Sequence, residues 1–331
     1  MSPNSTAHAT HWGYEMSDTT EMTYRTLGTS GLMVSTVGIG CNNFGMRIDA
    51  DATKRVVDAA LDVGITLFDT SDSYGDSELF LARALGSRRD EVVIATKFGS
   101  DLRGANGPDW NARGSRRYIR RAVERSLRRL DTDHIDLYQL HKPDPNTPIE
   151  ETLAALTELV RDGLVRYIGS SNLSGWQIAD ADWTARTAGS ERFISAQNLY
   201  SFIERGVESD VIPACERFGV GMLPYFPLAS GLLTGKYRRG EEPPSDGRIA
   251  AWGMTAMLND ANFDLIDSLT AFADERGISL LDVAMGGLAA QSTVASVIAG
   301  ATTPDQVRAN AAAGLWNPSP EDRSALRALL A

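Results

Sequence analysis

Cysteine is almost missing from this chain: Cys41 and Cys215 are the only two among 331 residues. Two thiols cannot build a disulfide framework or a cysteine-based metal site. That usage fits a reducing, cytoplasmic compartment. Long apolar runs are missing too. None approaches the roughly 20 residues needed to span a bilayer, so no membrane segment is expected. Basic charge is in deficit, with 32 Lys and Arg against 43 Asp and Glu and a formal net charge of −11. Nucleic acid is therefore not an expected partner, because its phosphates call for a basic face. An anionic ligand would need a local cationic patch. The run from Lys236 to Arg239 is one candidate, and a solvated loop is its plainer reading. Residues 1–22 are polar and lack the apolar core of a signal peptide. They are expected to form a disordered tail, with Met22 as an alternative start, ahead of a single domain over residues 23–331.

Hydrophobic residues make up 43% of the chain and charged residues 23%, enough for a packed interior. Short β-branched or apolar runs alternate with longer helical patterns. The runs predict strands at 36–40, 65–68, 92–97, 135–141, 165–169, 194–197, 220–224 and 295–301. Amphipathic stretches between them include 118–130, 149–160 and 264–276. Capping-box spacing marks helix starts at Thr147/Glu150, Ser174/Gln177 and Thr303/Gln306. Gly64 and Gly163 fall where left-handed helix stops belong. About eight β–α repeats predict a closed (β/α)8 barrel of the TIM type, with 23–35 as a hairpin closing its floor. An open doubly wound sheet is disfavoured, because no GxGxxG follows the first strand. Two long irregular segments, 99–113 and 230–259, are expected to be binding loops or lids on the C-terminal face.

In such a barrel the active site lies where strands end. Reading only those positions gives Asp69 and Tyr74 after the second strand, Lys97 ending the third and His141 ending the fourth. Ser171 and Asn172 follow the fifth, Gln197 ends the sixth and Tyr225 ends the seventh. Each alone has a dull explanation: Lys97 could pair with Asp69 structurally, and His141 could be a satisfied half-buried histidine. Their coincidence at successive strand ends is what points to one pocket. Asp72, close by, reads only as a solvated turn residue.

Seven segments then carry a family resemblance: GITLFDTSDSYGDSE (64–78), VVIATKFG (92–99), RSLRRLDTDHIDLYQLHKPD (125–144), VRYIGSSN (165–172), SAQNLYS (195–201), PYFPLASGLLTGKY (224–237) and IAGATTPDQVRAN (298–310). In this order they resemble the aldo-keto reductases over about residues 24–313, in the bacterial and potassium-channel-β-like branch. The resemblance implies NAD(P)H-dependent reduction of an aldehyde or ketone, or the reverse oxidation, with Asp69, Tyr74, Lys97 and His141 as the catalytic set. Tyr74 would protonate the carbonyl oxygen, Lys97 would lower the tyrosine pKa, Asp69 would hold Lys97, and His141 would orient the carbonyl. It also implies that Ser171, Asn172 and Gln197 bind the nicotinamide carboxamide while Tyr225 stacks on its ring. Leu228, Ser230, Leu232 and Lys236 would follow the pyrophosphate. Gly300, Thr302, Gln306 and Asn310 would surround the adenosine end.

NADP(H) is the expected cofactor, with NAD(H) as rival, since no Lys or Arg lies between Gly300 and Gln306. Phe44, Trp110 and Trp252 are expected substrate walls. With few cations evident on that side, a neutral small carbonyl is favoured over a sugar phosphate. Two rival functions remain. A Schiff-base aldolase built on Lys97 would leave the residues of strands five to seven unexplained. A cofactor-binding regulatory or sensor subunit would keep the same site with little turnover.

Overall fold

The computed structural model describes residues 21–245 and 247–330; the expected tail lies almost wholly outside them. Strands β1 (Tyr24–Thr26) and β2 (Met33–Ser35) form an antiparallel hairpin. Eight parallel strands follow: β3 (Val37–Gly40), β4 (Leu67–Asp69), β5 (Val93–Phe98), β6 (Ile135–Leu140), β7 (Val165–Ser171), β8 (Ser195–Gln197), β9 (Gly221–Met222) and β10 (Val297–Gly300). They pair in sequence, with β10 beside β3. Bridges Met222–Val294 and Tyr225–Ile298 join the last two strands and close the (β/α)8 barrel.

Helices α1 (Ala50–Asp62), α2 (Ser77–Leu85), α3 (Arg116–Leu130), α4 (Ile149–Arg161), α5 (Gly175–Ala188) and α6 (Val211–Phe218) connect the strands. Short α7 (Arg248–Ala251) lies in the long loop after β9, which sequence patterning treats as irregular throughout. Then come α8 (Asp260–Asp274), α9 (Leu280–Ala289), α10 (Pro304–Ala313) and α11 (Pro320–Leu329).

Side chains alternate along each strand, and the alternation sets both cores. Phe68, Ile94 and Tyr138 face outward, where Val56, Leu81, Ile119 and Leu156 of the helices cover them. Leu67, Ala95, Leu137 and Ile298 face the barrel interior and meet Leu27 and Val34 of the hairpin, which forms the floor. Gly28 makes that floor close. Its φ is +59°, and a Cβ there would sit 2.5 Å from the Gly219 carbonyl oxygen. The next inward positions above this apolar layer are Asp69, Lys97, Gln139 and Gln197. The same period that buries the leucines therefore delivers four polar groups to one level.

Gly64 and Gly163 adopt φ of +78° and +75°, as left-handed helix stops require. Gln177 Oε1 accepts the Ser174 N–H at 3.0 Å, as expected of a capping box. Thr303 accepts the Gln306 N–H, but Gln306 reaches back one residue further, to the Thr302 N–H. Thr147 caps nothing. Helix α4 begins after Pro148, and the Thr147 hydroxyl donates to Asp144 Oδ2 instead.

Candidate active site

A cavity of about 1030 Å³ opens at the C-terminal ends of the strands. Lys97, wholly buried below it, donates to Asp69 Oδ2 at 2.6 Å and to the Thr70 carbonyl at 2.9 Å. Asp69 Oδ1 accepts from Gln197 Nε2 at 2.8 Å and from Gln139 Nε2 at 3.3 Å. Gln139 fits inward because Gly169 stands opposite: a Cβ there would lie 2.1 Å from Ser195 Oγ and 3.2 Å from Gln139 Cγ. Sequence reading missed Gln139, although its parity with Leu137 could have placed it inside.

Burial alone would lower the Lys97 pKa, but Asp69 and Tyr74 outweigh it and hold the ammonium above its usual range. Lys97 Nζ lies 5.1 Å from the Tyr74 ring centroid. Its charge pulls the tyrosine pKa down, yet burial pushes harder and the net shift is upward. Lys97 thus acts on Tyr74 in the expected direction, and burial outweighs it. Tyr74 holds its proton.

His141 meets Tyr74 edge to face, with ring centroids 5.9 Å apart. Its Nδ1 lies 3.2 Å from Ser71 Oγ and 3.0 Å from Ser100 Oγ. Burial, then Lys97 and Lys142, push its pKa down to about 3, so the ring is neutral at physiological pH. Asp72 is not the solvated residue expected of a turn. Only 4% of its surface is exposed. Burial and then the Glu78 carboxylate raise its pKa to about 7.

Most of the expected cofactor residues line the cavity: Ser171, Asn172, Gln197, Tyr225, Leu228, Ser230, Lys236, Gly300, Thr302, Gln306 and Asn310. Leu232 does not; its side chain is fully buried in the core. Asn172 donates to the His141 carbonyl at 2.9 Å and accepts from the Tyr225 hydroxyl at 2.8 Å. Asn172, Phe226 and Ser230 all have positive φ, at 61°, 53° and 59°. Backbone strain of this kind gathers at binding sites.

The expected substrate walls fare differently. Phe44 has no exposed surface and belongs to the core. Trp110 is 71% exposed and packs under the Arg117 guanidinium rather than in the cavity. Trp252 is not among the lining residues either; it packs edge to face, at 6.0 Å, against Phe226, which is.

Cations are more numerous here than sequence reading allowed: Arg47, Lys142, Lys236 and Arg248 all line the cavity. Within the 236–239 run, Arg239 instead pairs with Asp260, Asp264 and Asp267. Arg248 was missed because it arrives from a distant loop. Its guanidinium is held by Asn42 Oδ1 at 3.2 Å and Asn43 Oδ1 at 2.9 Å, 4.9 Å from the Trp252 ring centroid. Burial, then Arg47, lower its pKa to about 10, which leaves it charged.

Among the described residues no helix is long and apolar enough to cross a membrane, and no group of three or more His, Cys, Asp or Glu could hold a metal ion. The sequence pattern of the aldo/keto reductase family matches residues 36–331. A probable voltage-gated potassium channel subunit beta of Arabidopsis thaliana is 37% identical over 304 residues, 87% of this chain and 90% of the relative. L-glyceraldehyde 3-phosphate reductase of Escherichia coli K12 is 33% identical, covering 88% and 87%. Versiconal hemiacetal acetate reductase of Aspergillus parasiticus is 34% identical, covering 80% and 84%. The chain belongs to the aldo/keto reductase family of oxidoreductases.

Proposed function

We propose that this protein reduces a small aldehyde or ketone to an alcohol with NADPH, and catalyses the reverse oxidation. The observation that carries this reading is the buried Asp69–Lys97 pair beneath Tyr74, with a neutral His141 against the same tyrosine ring.

The residues present fit a dinucleotide. The cavity has the volume, and one wall carries the amides Asn172 and Gln197 beside Tyr225. With its Nε2 bound to Asp69, Gln197 has its amide oxygen left for a carboxamide N–H. Lys236 and Arg248 supply positive charge for phosphates. Arg248 Nη2 would lie 3.3 Å from a Cβ at Gly300, so α7 brings to the β10 end the cation that the strand itself lacks. This supports NADPH over NADH. Leu228 and Ser230 would follow the pyrophosphate, and Gly300, Thr302, Gln306 and Asn310 would frame the adenosine. When bound, the nicotinamide supplies the hydride that no side chain can give.

Tyr74 donates its proton to the carbonyl oxygen. Lys97 stabilises the phenolate left behind, and Asp69 keeps Lys97 charged and aimed. His141, neutral, donates a hydrogen bond to the same oxygen and fixes its direction. As the substrate's oxygen gains charge, the hydrogen bonds from Tyr74 and His141 stabilise it. Arg47 and Lys142 at the cavity add positive potential, which removes the argument against an anionic carbonyl.

NADPH oxidation with a panel of aldehydes, for wild type beside Tyr74→Phe, tests the reading. Turnover that falls by about 10²–10⁴-fold in the variant, with NADPH binding unchanged, is the expected result. The resemblance to a protein named as a potassium channel subunit favours one second reading, a cofactor-binding regulatory subunit. Tight NADPH binding without turnover on any carbonyl would select it.

A further inference from the structure

Asp72 takes no part in the chemistry above, yet it is buried directly behind His141. Its backbone N–H donates to the Lys97 carbonyl at 3.3 Å, which fixes it against β5. Oδ1 lies 3.4 Å from Ser71 Oγ, and the same Ser71 Oγ lies 3.2 Å from His141 Nδ1. Oδ2 is buried and makes no hydrogen bond of good geometry among the described residues, although the Asn106 side chain comes close enough to Asp72 to lower its proton affinity. A carboxyl group is costly in such a place, and a turn residue has no need of one.

We propose that Asp72 acts through Ser71 to set which ring nitrogen of His141 carries the proton, and so switches His141 between donor and acceptor toward the reacting oxygen. This rests on the reductase reading of the site. Asp72 is a positioning residue, since Ser71 and His141 stand between it and the substrate.

The proton count works as follows. With Asp72 protonated, its O–H donates to Ser71 Oγ, and the Ser71 hydroxyl donates to His141 Nδ1. The single ring proton then sits on Nε2, the state that can donate to a carbonyl. When one proton is lost it leaves from Nε2 through the pocket. The Ser71 proton moves to Nδ1 and the Asp72 proton moves to Ser71. Asp72 is now a carboxylate accepting from Ser71, and Nε2 carries a lone pair. That state can accept from an alcohol O–H but cannot donate to a carbonyl. Ser100, the other hydroxyl on Nδ1, donates or accepts equally well and opposes neither state.

The groups facing Asp72 set the pH at which this happens. Glu78 on α2, held by Thr96 and Arg129, raises its proton affinity. Arg125 on α3 and the Asn106 side chain lower it, and so does Ser71 itself. Tyr118 on α3 and Tyr138 on β6 face it as neutral phenols, both held above their usual range chiefly by burial. On the barrel side, where the Asp72 N–H bonds the Lys97 carbonyl, the Asp69–Lys97 pair is internally neutralised. Burial dominates, and the balance puts the transition near pH 7. His141 stays neutral and Tyr74 stays protonated through that range.

The test is the pH dependence of kcat/KM for carbonyl reduction between pH 5.5 and 9. Wild type, Asp72→Asn, Ser71→Ala and Tyr74→Phe are compared. Wild type should fall by about fivefold above pH 7, the worth of one neutral hydrogen bond. Asp72→Asn, whose amide can donate to Ser71 at every pH, should hold its acidic value to pH 9. Ser71→Ala, with the relay cut, should also be flat. A wild-type limb retained in Asp72→Asn overturns the proposal. Full activity in Tyr74→Phe would instead overturn the reductase reading, so the two failures are distinct. Nitrogen-15 shifts of the His141 ring read the tautomer without turnover. A proton on Nε2 at pH 6 that moves to Nδ1 by pH 8.5 is expected, and one tautomer throughout overturns the switch even if the variants fail to fold.

Discussion

Lys97 Nζ and Asp69 Oδ2 lie 2.6 Å apart, and the lysine has no exposed surface at all. Removing either partner strands the other as a buried charge. Asp69→Asn or Lys97→Met alone is therefore expected to cost about 3–5 kcal/mol of stability. The double variant Asp69→Leu/Lys97→Met removes both charges and should recover most of that loss. Urea unfolding of the four proteins measures the coupling. Additive losses would show that the two groups do not depend on each other.

His141 ties stability to pH. Its folded pKa, about 3, lies below the 6.5 of a free histidine, so folding favours the neutral ring. The contribution is full above pH 6.5 and is lost as pH falls toward the folded value. Between pH 7 and 5 this amounts to about 2 kcal/mol. His141→Gln keeps polarity without titrating. The stability gap between wild type and variant should therefore shift in the variant's favour by that amount on acidification. A gap unchanged between pH 7 and 5 would contradict the buried neutral ring.

Asp69, Lys97 and the strand ends were legible in the sequence because they depend on local period and turn position. Leu67 and Ala95 mark the inward face, and Asp69 and Lys97 share their parity. Gln139 shares that parity and was equally accessible by the same rule. Asp72 was misread because a Thr-Ser-Asp-Ser turn is polar. What buries it is the segment around Asn106 and the face of α3, contributed by a later β–α unit. Arg248 was invisible for a related reason, since it meets Asn42 and Asn43 from about two hundred residues away. Phe44 and Trp110 were placed by residue type alone, and type does not say which way a loop side chain turns.

Arg248 yields a prediction about cofactor choice. Its guanidinium is fixed by two asparagines and lies beside Gly300, without a carboxylate among the partners named above. If it meets the 2′-phosphate, Arg248→Ala should weaken NADPH binding by about 10–150-fold, the worth of a charge-assisted hydrogen bond. NADH binding should change little. Titration of both dinucleotides by fluorescence separates the cases. An equal loss for both would place Arg248 on a group they share.

Asp72 offers a stability measurement that needs no substrate. Its folded pKa, about 7, stands above the 3.8 of a free aspartate. Between those values the folded protein holds a proton that the unfolded chain has released, so stability declines as pH rises. The contribution is intact below about pH 4 and is lost as pH passes through about 7. The full penalty approaches about 4 kcal/mol on the alkaline side. Asp72→Asn cannot ionise and escapes it. The variant should match wild type near pH 4 and exceed it progressively from pH 5 to 8 in urea unfolding. A difference that stays constant across that range would mean Asp72 is ionised throughout, and the His141 switch would lose its titrating group.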